Sequence, residues 1–146
     1  RIELICSKLA VPVIVKEVGW GINTQLARQL LEAGVAAIDV AGAGGTSWSQ
    51  VEMHRQTDPN RAKLAASFRG WGIPTARCLR EIKSQLPDAL VFASGGLKNG
   101  LDIAKTLALG AVHGLISGIE QGQTVKGRDA GGDADAGRGV ALVAAQ

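Results

Sequence analysis

The decapeptide DVAGAGGTSW, residues 39–48, follows an apolar run formed by Val35, Ala36, Ala37 and Ile38 and continues it through Val40 before turning to glycine and hydroxyl side chains. The run does not alternate, which suits a strand covered on both faces in a parallel sheet. Asp39 interrupts it near its carboxyl end. Gly42, Gly44 and Gly45 allow positive φ and let main-chain N–H groups approach a ligand, and Thr46 and Ser47 add hydroxyls. Two readings stand side by side: a phosphate-bearing ligand held by the loop, or a tight turn capped by Thr46. A second, similar turn, SGGLKNG at residues 94–100, favours the first.

Outward from this stretch the chain repeats one pattern. Ile2, Leu4, Ile5 and Leu9 fall near helical spacing. Val13, Ile14 and Val15 read as a short buried strand carrying Lys16 and Glu17 at its end. After the Gly19-Trp20-Gly21 loop, Asn23 or Thr24 can cap a helix bearing Ile22, Leu26, Leu30 and Leu31, stopped by Gly34. Residues 49–71 read as polar before helical, with a turn at Asp58-Pro59-Asn60 and a short helix over 62–68. Pro74 suits the first turn of a helix presenting Leu79, Ile82 and Leu86 up to Pro87. A strand over 89–93 empties into Ser94-Gly95-Gly96, Asn99 can cap a helix with Leu101, Ala104, Leu107 and Ala108, and residues 111–116 read as a last strand.

Strands alternating with helices long enough for crossovers predict an α/β fold with parallel strands. The polar and glycine-rich residues gather at successive strand carboxyl ends. That pattern favours a (β/α)8 TIM-barrel type, here a half-barrel of about four βα units over residues 1–117, rather than an open doubly wound sheet. Residues 118–146 lose apolar periodicity and become rich in glycine and aspartate; a flexible tail and a spurious terminus are both open readings. The strands at residues 13–16 and 111–116 would then be open apolar edges that invite self-association.

The 146 residues suffice for one modest domain, and 46% apolar with 20% charged residues is a globular composition. The net charge of +3 suits an anion pocket. Lys and Arg are scattered without aromatic interleaving, so no nucleic-acid partner is expected. Apolar runs are too short to span a membrane. Cys6 and Cys78 lack metal or redox spacing and read as buried thiols in a reducing compartment, hence a cytoplasmic protein. Beginning at Arg1 rather than Met, the chain reads as a piece of a longer one.

Besides the loop at residues 39–48, two groups of residues carry chemistry. In residues 94–100, Gly95, Gly96 and Gly100 surround Lys98 and Asn99 at a strand end and a helix start, where orphan N–H groups and the helix dipole attract phosphate. The bland alternative leaves Asn99 as a simple cap and Lys98 in solvent. Lys16 at its strand end could hold negative charge on a ligand ring, or form a structural salt bridge with Glu17. His54 reads as solvated and His113 as packed core. Trp20, Trp48 and Trp71 read as packing first and cavity walls second. No HExxH, Cys pair or carboxylate cluster suggests a metal held by this chain.

The segments VIVKEVGWG (13–21), IDVAGAGGTSW (38–48), WGIPTA (71–76) and ASGGLKNGLDIAKTLALGA (93–111) together resemble the carboxyl-terminal half of the type 2 isopentenyl-diphosphate delta-isomerases, over about residues 1–115. The resemblance implies an FMN-dependent (β/α)8 barrel interconverting isopentenyl and dimethylallyl diphosphate, with Mg²⁺ on the diphosphate and NADPH to reduce the flavin. It places Lys16 near the N1 and O2 side of the flavin ring, Thr46 in hydrogen bonding to the flavin, and Gly95, Gly96, Lys98, Asn99 and Gly100 around its phosphate. Ala41 departs from a frequent serine, and Lys98 from an arginine. Catalytic, substrate and Mg²⁺ residues are expected in the missing first half, so the chain alone is expected to be inactive; the full-length protein is expected to be a homo-oligomer. The alternatives are an FMN-dependent 2-hydroxy acid oxidoreductase, which needs a histidine and an arginine where Gly44, Gly45 and Thr46 stand, and a non-catalytic flavin- or phosphate-binding half-barrel.

Overall fold

The computed structural model describes residues 1–116, 124–126 and 141–144. Four parallel strands, β1 (Val13–Lys16), β2 (Ala37–Asp39), β3 (Val91–Ala93) and β4 (His113–Leu115), lie side by side in chain order. Crossovers between them run through α2 (Thr24–Glu32), through α3 (Trp48–Arg55), α4 (Pro59–Ala66) and α5 (Thr75–Gln85), and through α6 (Gly100–Ala108); α1 (Ile2–Lys8) precedes β1.

Strand register decides which side chains share a face. Val15 stands opposite Ile38 and Ile38 opposite Val91, and all three are buried in one cluster with Ala27 and Leu30 of α2, Leu79 and Ile82 of α5, and Ile103 of α6. Fully burying a residue such as Ile38 or Leu79 contributes roughly 2–3 kcal/mol. The packed helices therefore cover the same face of the sheet, and β1 to β4 show no reversal of strand order. The opposite face carries the row Lys16, Asp39, Phe92 and His113, each paired with the next across neighbouring strands.

Local chemistry sets the element ends. Asn23 accepts a hydrogen bond from Leu26 N (2.8 Å) and caps α2. Ile22, expected on that helix, precedes the cap and is wholly buried, while Leu26 is 39% exposed; Ile22 and Ala27 occupy the positions of a hydrophobic staple. Pro74 takes the N-cap position of α5 rather than its first turn, and Asp58 caps α4 through Asn60 N.

The expected polar stretch before residue 58 is a helix, α3. Gln50, Glu52, Met53 and Arg55 are good helix formers, but the helix buries no side chain, so apolar periodicity could not reveal it. It packs on α4, and Arg69 Nε donates to Gln50 Oε1 across the hairpin (3.0 Å).

Neither outer strand is bare. β6 (Ala141–Ala144) pairs parallel with β1, and β5 (Thr124–Lys126) pairs antiparallel with β4. The expectation that β1 and β4 are the open edges is thus corrected: β6 and β5 take the edge positions of the described sheet. The rest of the expected flexible tail lies outside the described residues. Cys78 is buried, and burial pushes its thiol up to about 11, so it is neutral and unreactive near pH 7; Cys6 is only half-buried. Among the described residues no helix is long and apolar enough to cross a membrane.

Candidate functional site

At the carboxyl ends of β1, β2 and β3 a cavity of about 250 Å³ is lined by Lys16, Ala41, Gly42, Gly45, Thr46, Ser94 and Gly95, with Val18, Gly19 and Trp48 closing one side. Register builds its charged wall. Lys16 is the Cα partner of Asp39, and its ammonium donates to Asp39 Oδ2 (2.7 Å) and to Ser94 Oγ (2.7 Å). Ser94 in turn donates to Asp39 Oδ1 (2.7 Å), which also accepts from Ala41 N (3.1 Å). Asp39 is 2% exposed, and these bonds compensate its desolvation.

The structural salt bridge expected between Lys16 and Glu17 does not form, because neighbouring strand residues point to opposite faces. Lys16 pairs with Asp39 instead. Glu17 turns back on its own loop, where Oε2 accepts from the amides of Val18, Gly19 and Trp20 at 2.6–2.7 Å. The resulting carboxylate-filled nest holds the loop that walls the cavity.

The two glycine turns touch. A Cβ at Gly96 would lie 2.6 Å from the carbonyl carbon of Gly44, one at Gly45 would lie 2.9 Å from Gly96 N, and one at Gly95 would overlap the Gly42 carbonyl. Gly95 and Gly96 have φ of +91° and +81°. Their glycines are therefore demanded first by main-chain packing. Thr75, at the start of α5, supports the second turn through Oγ1, 2.9 Å from Ser94 O and 2.6 Å from Gly95 O.

Of the residues singled out from sequence, Lys16, Thr46 and Gly95 line the cavity together; Gly96 backs it through its contact with Gly44. Lys98, Asn99 and Gly100 do not line it and are exposed. The start of α6 is satisfied from within: Asn99 Oδ1 accepts from Asp102 N (3.0 Å), and Asp102 Oδ2 accepts from Lys98 N (3.0 Å). Asp102 also puts a negative charge in the first turn of the helix, where a phosphate would be expected.

Asp39 and Ser94, which anchor Lys16 at the cavity wall, are the residues of the candidate site that sequence reasoning did not select. The signal was a carboxylate inside an apolar run, which needs a partner when buried. Trp48 borders the cavity and donates from Nε1 to Val18 O (3.0 Å). Trp71 packs edge-on against Phe68, and Trp20 is half-buried. Neither histidine lines the cavity: His54 is in α3, and His113 packs edge-on against Phe92 on the sheet face away from the helices, not in the core under them.

The donor set suits an anionic group. Lys16 has one N–H beyond its two anchored ones, Thr46 presents a hydroxyl, and among the described residues the amides of Gly44, Gly45, Gly95 and Gly96 have no acceptor. Main-chain donors at strand ends with an adjacent ammonium can take a phosphate or polarised carbonyl oxygens. Among the described residues no group of three His, Cys, Asp or Glu side chains could hold a metal ion.

Comparison with known proteins gives the same direction. The chain is 57% identical over 110 residues to an isopentenyl-diphosphate delta-isomerase of Vibrio campbellii, covering 75% of this chain and 32% of that protein. It is 55% identical over 111 residues to one of Synechocystis sp., and 51% identical over 111 residues to one of Oceanobacillus iheyensis, each covering 76% of this chain and 32% of the relative. The chain thus spans just under a third of the length of these curated relatives. The model of the family described as FMN-dependent dehydrogenase matches residues 1–120, most of the chain, and the chain belongs to that family.

Proposed function

We propose that this chain is the flavin-binding part of a type 2 isopentenyl-diphosphate delta-isomerase, the carboxyl-terminal half of a (β/α)8 barrel that interconverts isopentenyl and dimethylallyl diphosphate. The observation that carries the reading is the cavity where the two glycine turns meet beside Lys16. Relatives that bear the isomerase name at 51–57% identity support the choice of reaction.

Bound FMN, reduced by NADPH, would supply the electron-rich ring needed for proton transfer at the substrate double bond. The residues of this chain bind and orient. Gly45, Gly95 and Gly96 would offer amides to the phosphate, with Lys98, Asn99 and Gly100 farther out, and Thr46 would donate to the cofactor. Lys16 would place positive charge beside the flavin ring, where a fixed ammonium in a partly dry site would stabilise negative charge. Trp48 and the loop held by Glu17 limit water on one side. Substrate and Mg²⁺ residues belong to chain outside this piece.

Oxidation of a 2-hydroxy acid would need a histidine base and an arginine by the first glycine turn. The cavity lining contains neither. Titrating FMN with the 146-residue chain and following flavin fluorescence tests the reading. Saturable quenching whose midpoint rises by about tenfold or more in Lys16→Met, without being abolished, is expected, with no isomerase turnover by the chain alone. Quenching that stays the same in Lys16→Met and Thr46→Ala overturns the assigned cavity. Oxidation of a 2-hydroxy acid by the full-length protein overturns the choice of reaction.

A further inference from the structure

The Asp39 carboxylate is the point where three strand ends are tied together. Oδ2 takes the Lys16 ammonium at the end of β1; Oδ1 takes the Ala41 amide just past β2 and the Ser94 hydroxyl just past β3. Ser94 completes a closed triangle, because its oxygen also accepts from Lys16 at 2.7 Å. Among the described residues these are all the partners of the ammonium.

A lysine ammonium has three N–H donors on a flexible four-carbon stem, and an unanchored one spreads its charge over many rotamers. Here two donors are fixed by neighbours that are themselves 2–3% exposed, while the Lys16 side chain keeps 32% exposure on the cavity side. One N–H is left, and its direction is set by the other two. Ala41 adds a second consequence. It has φ of +33°, in the left-handed region that a non-glycine residue rarely occupies, and the Asp39 bond holds its amide there, at the entrance to the first glycine turn.

We propose that Asp39, with Ser94, is the positioning residue for Lys16: the buried carboxylate orients the third N–H of the ammonium into the cavity and locks the two glycine turns to that direction. The assignment rests on the cofactor reading above for the identity of what the N–H meets. The fixing of Lys16 does not rest on it.

Asparagine at position 39 is the informative replacement. Its single oxygen can face Lys16 or the Ala41 amide, but not both. Whichever it faces, the amide nitrogen meets a donor on the other side, and the negative charge is gone. Ser94→Ala removes one anchor with no change of charge, so it serves as the milder variant should Asp39→Asn unfold the chain, which far-UV circular dichroism would show.

Two readouts on the 146-residue chain separate the possibilities. The first needs no ligand: acetylation rates of individual lysines by mass spectrometry, with exposed Lys98 as internal reference. Lys16 should react more slowly than Lys98 in the unsubstituted chain. Relative to Lys98, it should then speed up by about fivefold in Asp39→Asn and by a smaller factor in Ser94→Ala, as its anchoring hydrogen bonds are lost. The second is FMN affinity in two backgrounds. Asp39→Asn should weaken binding about tenfold when Lys16 is present and by less than about twofold in Lys16→Met, the coupling expected of residues that act through one another.

An unchanged relative rate at Lys16 in both variants overturns the proposal. So does an equal loss of affinity in the two backgrounds, since Asp39 would then act through the turns alone. Failure of the unsubstituted chain to bind FMN would overturn the cofactor reading, while the acetylation comparison would still decide whether Asp39 fixes Lys16.

Discussion

Lys16 and Lys98 both stand at or beyond the carboxyl end of a parallel strand and near a glycine turn, yet the fold treats them in opposite ways. Lys16 ends β1, so register alone sets it against Asp39, and its ammonium is caught by buried oxygens. Lys98 comes five residues after β3 at the start of α6; its side chain is exposed, and its amide is taken by Asp102. A charge on a strand inherits its neighbours from the sheet. A charge at a helix start competes with the capping groups of that helix. The cavity is therefore built and oriented on the β1–β2 side and self-satisfied on the α6 side.

The glycines divide along the same line, and there the contrast should be greatest. Gly95→Ala forces a Cβ into the Gly42 carbonyl at φ of +91°, so overpacking and backbone strain add. A loss of about 3 kcal/mol or more is expected in chemical denaturation, with loss of FMN binding. Gly100→Ala meets nothing within 4 Å and sits at the start of α6. It should be neutral or slightly stabilising, within about 0.5 kcal/mol. Equal costs at the two positions would show that the turns do not pack as described.

Removing the first lysine comes next in size. Lys16→Met leaves Asp39 buried with only neutral donors, and a destabilisation of about 2–3 kcal/mol follows after allowing for the partial exposure of the pair. A double variant, Lys16→Met with Asp39→Asn, should recover part of that loss, because no unpaired charge remains. Asn99→Ala, on the other side of the contrast, costs a cap worth about 1 kcal/mol in stability and should leave FMN affinity nearly intact. A larger effect on binding than on stability at Asn99 would place the α6 start inside the site.

What could be read in the sequence follows from the same physics. The strands, their parallel order and the caps at Asn23 and Asn99 depend on local signals, such as apolar runs, side-chain oxygens at helix starts and glycines at turns. Each of these is present in the sequence. Asp58-Pro59-Asn60, which reads as a turn before a helix over 62–68, is instead the cap and first turn of α4 over Pro59–Ala66. The similarity of the two glycine turns is visible in the sequence, but their contact is not, since it depends on Gly42 meeting Thr75 and Gly95 across the crossover. α3 was hidden because a helix without a buried face carries no period. The partner of Lys16 was hidden because cross-strand pairing joins residues 23 positions apart, whereas the eye falls on adjacent Glu17. The two tail strands fall in segments whose composition gives no alternation, and pairing with β1 and β4 supplies what propensity does not.

Lys98→Ala should have the smallest effect, and it tests the contrast most sharply because the sequence motif makes the opposite forecast. If the ammonium stays in solvent at the rim, it acts on a bound phosphate only through water and salt. Its loss should then weaken FMN binding by less than about threefold at low ionic strength, with the difference vanishing near 0.5 M salt, where screening is complete within a few ångströms. Stability should not change, since Lys98 contributes its main-chain amide rather than its side chain to the Asp102 bond. A loss of about tenfold or more that persists in high salt would require a direct ammonium–phosphate contact. The segment between Gly96 and Asn99 would then have to refold around the ligand, releasing Asp102 from the Lys98 amide, and the α6 side would be assembled by the cofactor rather than by the chain.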